Sequence, residues 1–164
     1  MPSHRLRSGE VAVELPSTHD AGIYFIGRIH TPWPTREECP KNSGESQAVC
    51  TIEVDPRYAE GLRDVETVSH LIVLYFMDEA PRDILLQAPN HYRKQHGAFA
   101  LRSPARPNPI AHSVVRLLRV AGTRLDVIGL DCRDGTPLVD IKPYFASTDS
   151  VPDATVGWHM AERR

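Results

Sequence analysis

Between Leu101 and Ile110 the chain reads Leu-Arg-Ser-Pro-Ala-Arg-Pro-Asn-Pro-Ile, with three prolines in six residues. Each proline fixes its own φ and biases the preceding residue toward extended conformations, so this backbone is stiff before any ligand arrives. Arg102 and Arg106 project from that frame, and a preorganised guanidinium suits the two-pronged grip of a carboxylate or phosphate. The plainer alternative is a stiff connection whose arginines pair with surface acids. Loops carry sites more often than they carry stability, which favours the anion-binding reading.

A second stretch, Gly129-Leu-Asp-Cys-Arg-Asp-Gly-Thr-Pro-Leu-Val-Asp-Ile-Lys-Pro-Tyr144, offers the carboxylates of Asp131, Asp134 and Asp140. Asp134 and Gly135 supply a turn in which glycine tolerates positive φ, and the bare backbone there allows a planar ligand close approach. A hairpin turn with no ligand competes with this reading. His70, at the mouth of an apolar run, reads as a core histidine before it reads as a catalyst.

The net charge of −2 and pI near 6.4 argue, taken alone, against a nucleic-acid partner. The average conceals an asymmetry. From Ile84 through Leu125 there is no Asp or Glu, while Arg93, Lys94, Arg102, Arg106, Arg116, Arg119 and Arg124 fall there with His91, His96 and His112. That segment is a candidate anion-facing surface, its alternative being a set of solvated strand and loop charges.

These groups need elements to position them. A chain of 164 residues with 41% hydrophobic and 24% charged side chains has the length and balance of one globular domain. The pattern predicts strands over residues 22–30, 48–54, 69–76, 98–102, 113–120, 124–130 and 138–141, with an edge strand possible around Val11, Val13 and Leu15. Asp55 and Pro56 open a short helix over 56–64. Residues 31–46 and 78–97 read as long loops, the second with His91, Tyr92, Arg93 and Lys94 at its tip, and tight hairpins fall at 121–123 and 134–136. No long amphipathic helices separate the strands, so the expected fold is all-β: a small, mostly antiparallel barrel with short helices in its loops. Residues 1–20 form a tail or edge strand, 21–155 the barrel, and 156–164 a C-terminal tail.

The apolar run Leu71 to Met77 is far shorter than the roughly 20 residues a bilayer-spanning helix needs, and no apolar leader follows the N-terminus, so the expected location is the cytoplasm. Cys39, Cys50 and Cys132 show no paired spacing and the eight histidines show no metal-ligand spacing. Structural thiols and no metal are expected.

Taken together, Arg102-Ser-Pro-Ala-Arg-Pro-Asn-Pro-Ile110 followed by Ser113-Val-Val-Arg-Leu117, Leu130-Asp131, Asp134-Gly-Thr-Pro137, Asp140-Ile-Lys-Pro-Tyr144 and Ser150-Val-Pro-Asp-Ala154 resemble the TrmO family, also called YaeB or TsaA-like, of tRNA N6-methyltransferases. Gly61-Leu62 and Ser69-His-Leu71 also fit. The resemblance implies a β-barrel of the TsaA-like type that works as a homodimer and binds S-adenosylmethionine without a nucleotide-binding sheet. The implied substrate is the threonylcarbamoyl-modified adenosine just 3′ of the anticodon in tRNA. It places cofactor contacts near Met77, Asp78, Arg102, His112, Asp131, Cys132, Arg133 and Asp134.

Methyl transfer is an in-line displacement that chiefly needs its reactants held in line. A sulfonium is attracted by carboxylates and aromatic faces, for which Asp78, Asp131, Tyr75 and Phe76 are candidates. Arg93, Lys94 and Arg106 are the candidate substrate contacts, and His112 or Asp78 the candidate general base. Two other readings stay open: methyl transfer to a small-molecule amine or alcohol, and a non-catalytic S-adenosylmethionine- or RNA-binding module.

Overall fold

Along Val49–Val54, His70–Phe76 and Arg124–Ile128 alternate residues are buried apolar side chains, so each run turns one face of a strand to the core and the other outward. In the computed structural model, which describes residues 5–162, these runs join a set of nine strands. They are β1 (Val11–Ala12), β2 (Gly27–His30), β3 (Val49–Val54), β4 (His70–Phe76), β5 (Ile84–Gln87), β6 (His96–Gly97), β7 (Ile110–Ala121), β8 (Arg124–Ile128) and β9 (Thr136–Pro143). Two short helices follow, α1 (Ala146–Asp149) and α2 (Gly157–Glu162). The chain divides into two compact units.

The larger unit, residues 20–78 and 110–144, is a closed barrel in the order β2-β3-β8-β7-β4-β9, every pairing antiparallel. Its interior is filled by Ile29, Ile52, Val54, Leu71, Val73, Tyr75, Val115, Leu125, Val127 and Leu138, none more than 2% exposed. Each such side chain contributes roughly 1.5–3 kcal/mol relative to an exposed one. Because neighbours alternate in direction, β2, β4 and β8 all end at one mouth of the barrel, where β9 begins.

The smaller unit holds residues 79–109 with the segments before residue 20 and after Tyr144. Its sheet runs β1-β5-β6, with Val11 opposite Leu86 and Leu86 opposite Gly97. Among the described residues no helix is long and apolar enough to cross a membrane.

The all-β expectation holds, with several local corrections. Residues 98–102 are a 3-10 turn over Ala98–Ala100 and not a strand, because Leu101 N–H closes back onto Ala98 O at 3.3 Å. The loop expected at 78–97 contains β5 and β6. The strand expected from Gly22 begins only at Gly27. His70 is exposed, its Nδ1 3.0 Å from Ser69 Oγ, and is no core residue. The turn at Gly122 and Thr123 does join neighbours β7 and β8, with Gly122 at φ +62. The turn at Asp134–Thr136 is not a hairpin: β8 pairs with β3 and β7, whereas β9 pairs with β2 and β4. Residues 129–135 must therefore cross the barrel mouth. Asp55 caps the helical turn Pro56–Leu62 as expected, its Oδ1 accepting from Arg57 N at 3.0 Å.

The outer wall carries ion pairs that make stability depend on pH. Arg119 donates to Asp126 Oδ2 at 2.8 Å and Thr51 donates to its Oδ1 at 3.1 Å, and these bonds hold the Asp126 carboxyl below its usual range. A depressed folded-state value contributes stability above the unfolded range, near pH 3.9, and loses it as pH falls through the folded value. Asp126→Asn is thus expected to melt below the wild type near neutrality. Thermal melts across pH should show the gap narrowing as pH falls below the unfolded carboxylate range.

Candidate functional site at the barrel mouth

Leu130 and Cys132 are buried, which fixes the crossing segment and turns the Asp131 side chain to meet the barrel interior. Tyr75 is the one long polar side chain among the inward residues of β4, and its hydroxyl donates to Asp131 Oδ1 at 2.7 Å. The same hydroxyl lies 2.9 Å from Ser113 Oγ. Since the phenol proton goes to the carboxylate, the serine hydroxyl donates to the phenol oxygen. Burial, with the Asp131 charge second, pushes the phenol well above its ordinary range, so it stays a donor. Among the described residues the second Asp131 oxygen has no protein partner.

The rest of the segment is pinned from β2 and the loop after it. Thr31 Oγ1 donates to Cys132 O at 2.9 Å and Thr31 N–H to Asp134 Oδ1 at 3.1 Å. Asp134 N–H donates to Trp33 O at 2.7 Å, and Gly135 N–H to Ile29 O at 2.8 Å. His30 Nδ1 lies 3.4 Å from Asp134 Oδ1. Arg133 reaches from this segment to Asp78, just past the end of β4, at 3.1 Å. Gly135 stands at φ +78 with no heavy atom within 4 Å of where a Cβ would sit, so the backbone there is open to approach.

Of the residues expected at the site, the barrel unit thus brings Asp78, Asp131, Cys132, Arg133 and Asp134 to one mouth, with Met77 packed against the core beside them. His112 lies opposite Leu74 on the outer wall, on the other face of β7 from buried Ser113. Asp140 pairs with Lys142 at 2.9 Å on that same wall. Tyr75 is 2% exposed and Phe76 packs against Phe25 at 5.5 Å, so neither offers its ring face as expected. Burial pushes the Cys50 thiol up to about 11 and the Cys132 thiol to about 12, which leaves both as inert core groups.

Arg93, Lys94, Arg102 and Arg106 belong to the smaller unit. The first three are exposed. Arg106 departs from its expected role as a projecting phosphate contact. Its Nη2 donates to the carbonyls of Ala98 and Leu101, and its Nε is buried without a partner. The guanidinium braces carbonyls that the proline-rich loop, poor in N–H donors, cannot satisfy. Arg82 does the same from the other side, donating to Pro107 O at 2.7 Å.

Thr31, Trp33 and Ser113 were not visible as site residues, because their partners lie up to about a hundred positions away in sequence. One signal was available: a tyrosine at an inward position of an aliphatic strand must find a partner for its hydroxyl.

The family model described as the tRNA-methyltransferase O N-terminal domain matches residues 28–150. The Rhizobium radiobacter protein VirR, named a probable S-adenosyl-L-methionine-binding protein, is 50% identical over 143 residues, covering 87% of this chain and 82% of that one. The tRNA (adenine(37)-N6)-methyltransferase of Escherichia coli K12 is 33% identical over 144 residues, covering 81% of this chain and 61% of that one. A crystal structure of TrmO from Pseudomonas aeruginosa superposes with a TM-score of 0.69 at 34% identity, over 85% of this chain and 62% of that one. The chain therefore spans about three-fifths of the length of that solved relative. Fold and matches define the class: S-adenosyl-L-methionine-dependent methyltransferases built on a closed β-barrel. Within that class, the chain belongs to the tRNA-methyltransferase O N-terminal domain family.

Proposed function

We propose that this chain binds S-adenosylmethionine at the barrel mouth and methylates N6 of an adenosine in tRNA, the threonylcarbamoyl-modified adenosine just 3′ of the anticodon. The observation that most supports the site is the rigid 131–134 segment, with Asp131 fixed through one oxygen and open at the other. The donor set suits the cofactor's chemistry. Carboxylates meet its positive sulfonium and its ribose hydroxyls, guanidinium groups meet its carboxylate, and exposed backbone meets its adenine. The named E. coli relative supports the adenosine N6 substrate.

In this reading Asp131 and the backbone through Cys132, Arg133 and Asp134 hold the nucleoside part, and Met77 and Asp78 border it. Bound S-adenosylmethionine supplies an electrophilic methyl group. The N6 nitrogen loses a proton during transfer, so a base must stand nearby. Asp78, at the mouth beside Arg133, suits that role better than His112 on the outer wall. Arg93 and Lys94 face the tRNA phosphates, and Arg106 stiffens its loop instead. The protein acts in the cytoplasm as a homodimer, a reading supported by exposed Ile110 and Val114 on the outward face of β7.

Incubation with methyl-labelled S-adenosylmethionine tests this. Label is expected in fully modified tRNA and not in tRNA lacking the threonylcarbamoyl group. Label that enters only a metabolite extract would assign the chain to a small amine or alcohol. Intact bound cofactor with no labelled product would leave a binding module.

A further inference from the structure

Most cations on the barrel wall have an acid beside them. Arg57, Arg63, Arg119, Arg124, Arg133 and Lys142 all pair with carboxylates at 3.1 Å or less. Arg28 does not, although Glu53 stands directly opposite it in the β2–β3 ladder. Glu53 Oε2 is already held by Arg124 at 2.8 Å and approached by His30 Nε2 at 3.4 Å. Arg28 turns instead to the segment that crosses the barrel mouth, donating from Nη1 to Gly135 O at 2.8 Å. His30, two residues further along β2, sets its other ring nitrogen 3.4 Å from Asp134 Oδ1.

Gly135 is the residue of that segment with no side chain to restrict its backbone, so what bonds to it decides how still the segment is. Its N–H donates to Ile29 O at 2.8 Å, and its carbonyl accepts from Arg28. Successive residues of β2 therefore hold both of its polar groups, one through backbone and one through a side chain. The three carbonyls before it are also met by side chains: Cys132 O by Thr31 Oγ1 at 2.9 Å, Arg133 O by Thr136 Oγ1 at 2.7 Å, and Asp134 O by Arg133 Nη1 at 3.2 Å. Thr136 is 1% exposed and belongs to the core, whereas Arg28 is exposed. The Arg28 brace can thus be removed without opening the barrel interior.

We propose that Arg28, with His30 beside it, is a positioning residue for the cofactor site at the barrel mouth. Both act through the 131–135 backbone. They hold Asp134 and Gly135 against the end of β2, so that the Asp131 carboxylate and the backbone next to it keep one geometry before the cofactor arrives. Such preorganisation reduces the ordering that binding must impose, and its loss shows as weaker binding in a protein that still folds. The placing of S-adenosylmethionine at this mouth rests on the function proposed above, and the bonds that hold the segment do not.

Calorimetric titration with S-adenosylmethionine reads affinity and the number of sites per chain in one experiment. Arg28→Ala is expected to raise Kd about fivefold, and Arg28→Ala with His30→Ala about tenfold, with the number of sites unchanged. Arg28→Lys keeps a donor for Gly135 O and should return Kd to within about twofold of the wild type. Arg63→Ala is the control: it removes an exposed cation paired with Glu60 and should bind as the wild type does. A role in stability alone would give a different pattern, with fewer sites at the wild-type Kd and a lowered Tm. That pattern, or an unchanged Kd in Arg28→Ala, overturns the positioning role and leaves the cofactor reading standing. Wild-type protein that binds no S-adenosylmethionine removes the cofactor reading and the positioning role together.

Discussion

Asp131→Ala is expected to lower S-adenosylmethionine affinity about 100-fold and to lower stability by about 2–3 kcal/mol. The stability loss comes from the inside of the barrel. With the carboxylate gone, the Tyr75 hydroxyl, 2% exposed, and the Ser113 hydroxyl are left with only each other, so one of the two buried protons has no acceptor among the partners the intact network supplies. A buried donor left unmade costs more than the bond was worth in the intact network. The affinity loss comes from the oxygen that faces the mouth. Tyr75→Phe separates the two effects, because it keeps the carboxylate and removes only the bond that orients it. A double-mutant cycle with Tyr75→Phe and Asp131→Ala, read by denaturant unfolding and by calorimetric titration of cofactor, should show coupling in both measurements. Coupling in stability with no change in cofactor affinity for either variant would make the Tyr75–Asp131 pair a brace alone and would move the cofactor away from this mouth.

Gly27→Ala should be more damaging still, with a cost of about 3 kcal/mol or more, or no soluble barrel at all. Gly27 lies opposite Val54 in the β2–β3 ladder and opposite Leu138 in the β2–β9 ladder. A Cβ there would fall 2.1 Å from Glu53 O and 2.9 Å from Val54 Cα, which are backbone atoms that no rotamer change can move. The strand would have to part from β3, its neighbour in the ring. Gly22→Ala is the control, since nothing lies within 4 Å of its Cβ position. Urea unfolding of the pair checks the claim, and equal midpoints for Gly22→Ala and Gly27→Ala would refute the close-approach account.

Period-two patterning made the barrel strands legible because each buries one face, as in Arg124–Ile128, where Leu125 and Val127 are core while Arg124 pairs with Glu53 and Asp126 with Arg119 outside. It failed where hydrogen bonding and not burial decides the element. Ala98–Ala100 looks extended by composition, yet an i to i+3 bond and the Arg106 brace make it a turn. The Asp-Gly pair at 134–135 carries a hairpin signature, but which strands it joins is a question of ring order, and local sequence does not encode ring order. The site divides in the same way. Asp131 and Asp134 stood out as carboxylates in a glycine-bounded segment. What fixes them, Thr31, Trp33, Tyr75 and Ser113, comes from strands and loops that only closure brings near.

That closure also sets the order in which the molecule can be made. β9 follows the other eight strands and bonds both to β2 and to β4, so the edge of β2 that does not meet β3 waits for partners more than a hundred positions later. On a translating ribosome the first eight strands emerge while two of them still present unpaired edges, and loop-closure entropy is repaid only when residues 136–143 clear the exit tunnel. Closure of the ring is therefore a late step, because only the pairings of β9 complete it. Nascent chains stalled short of β9 are the species that chaperones must shelter from edge-to-edge association.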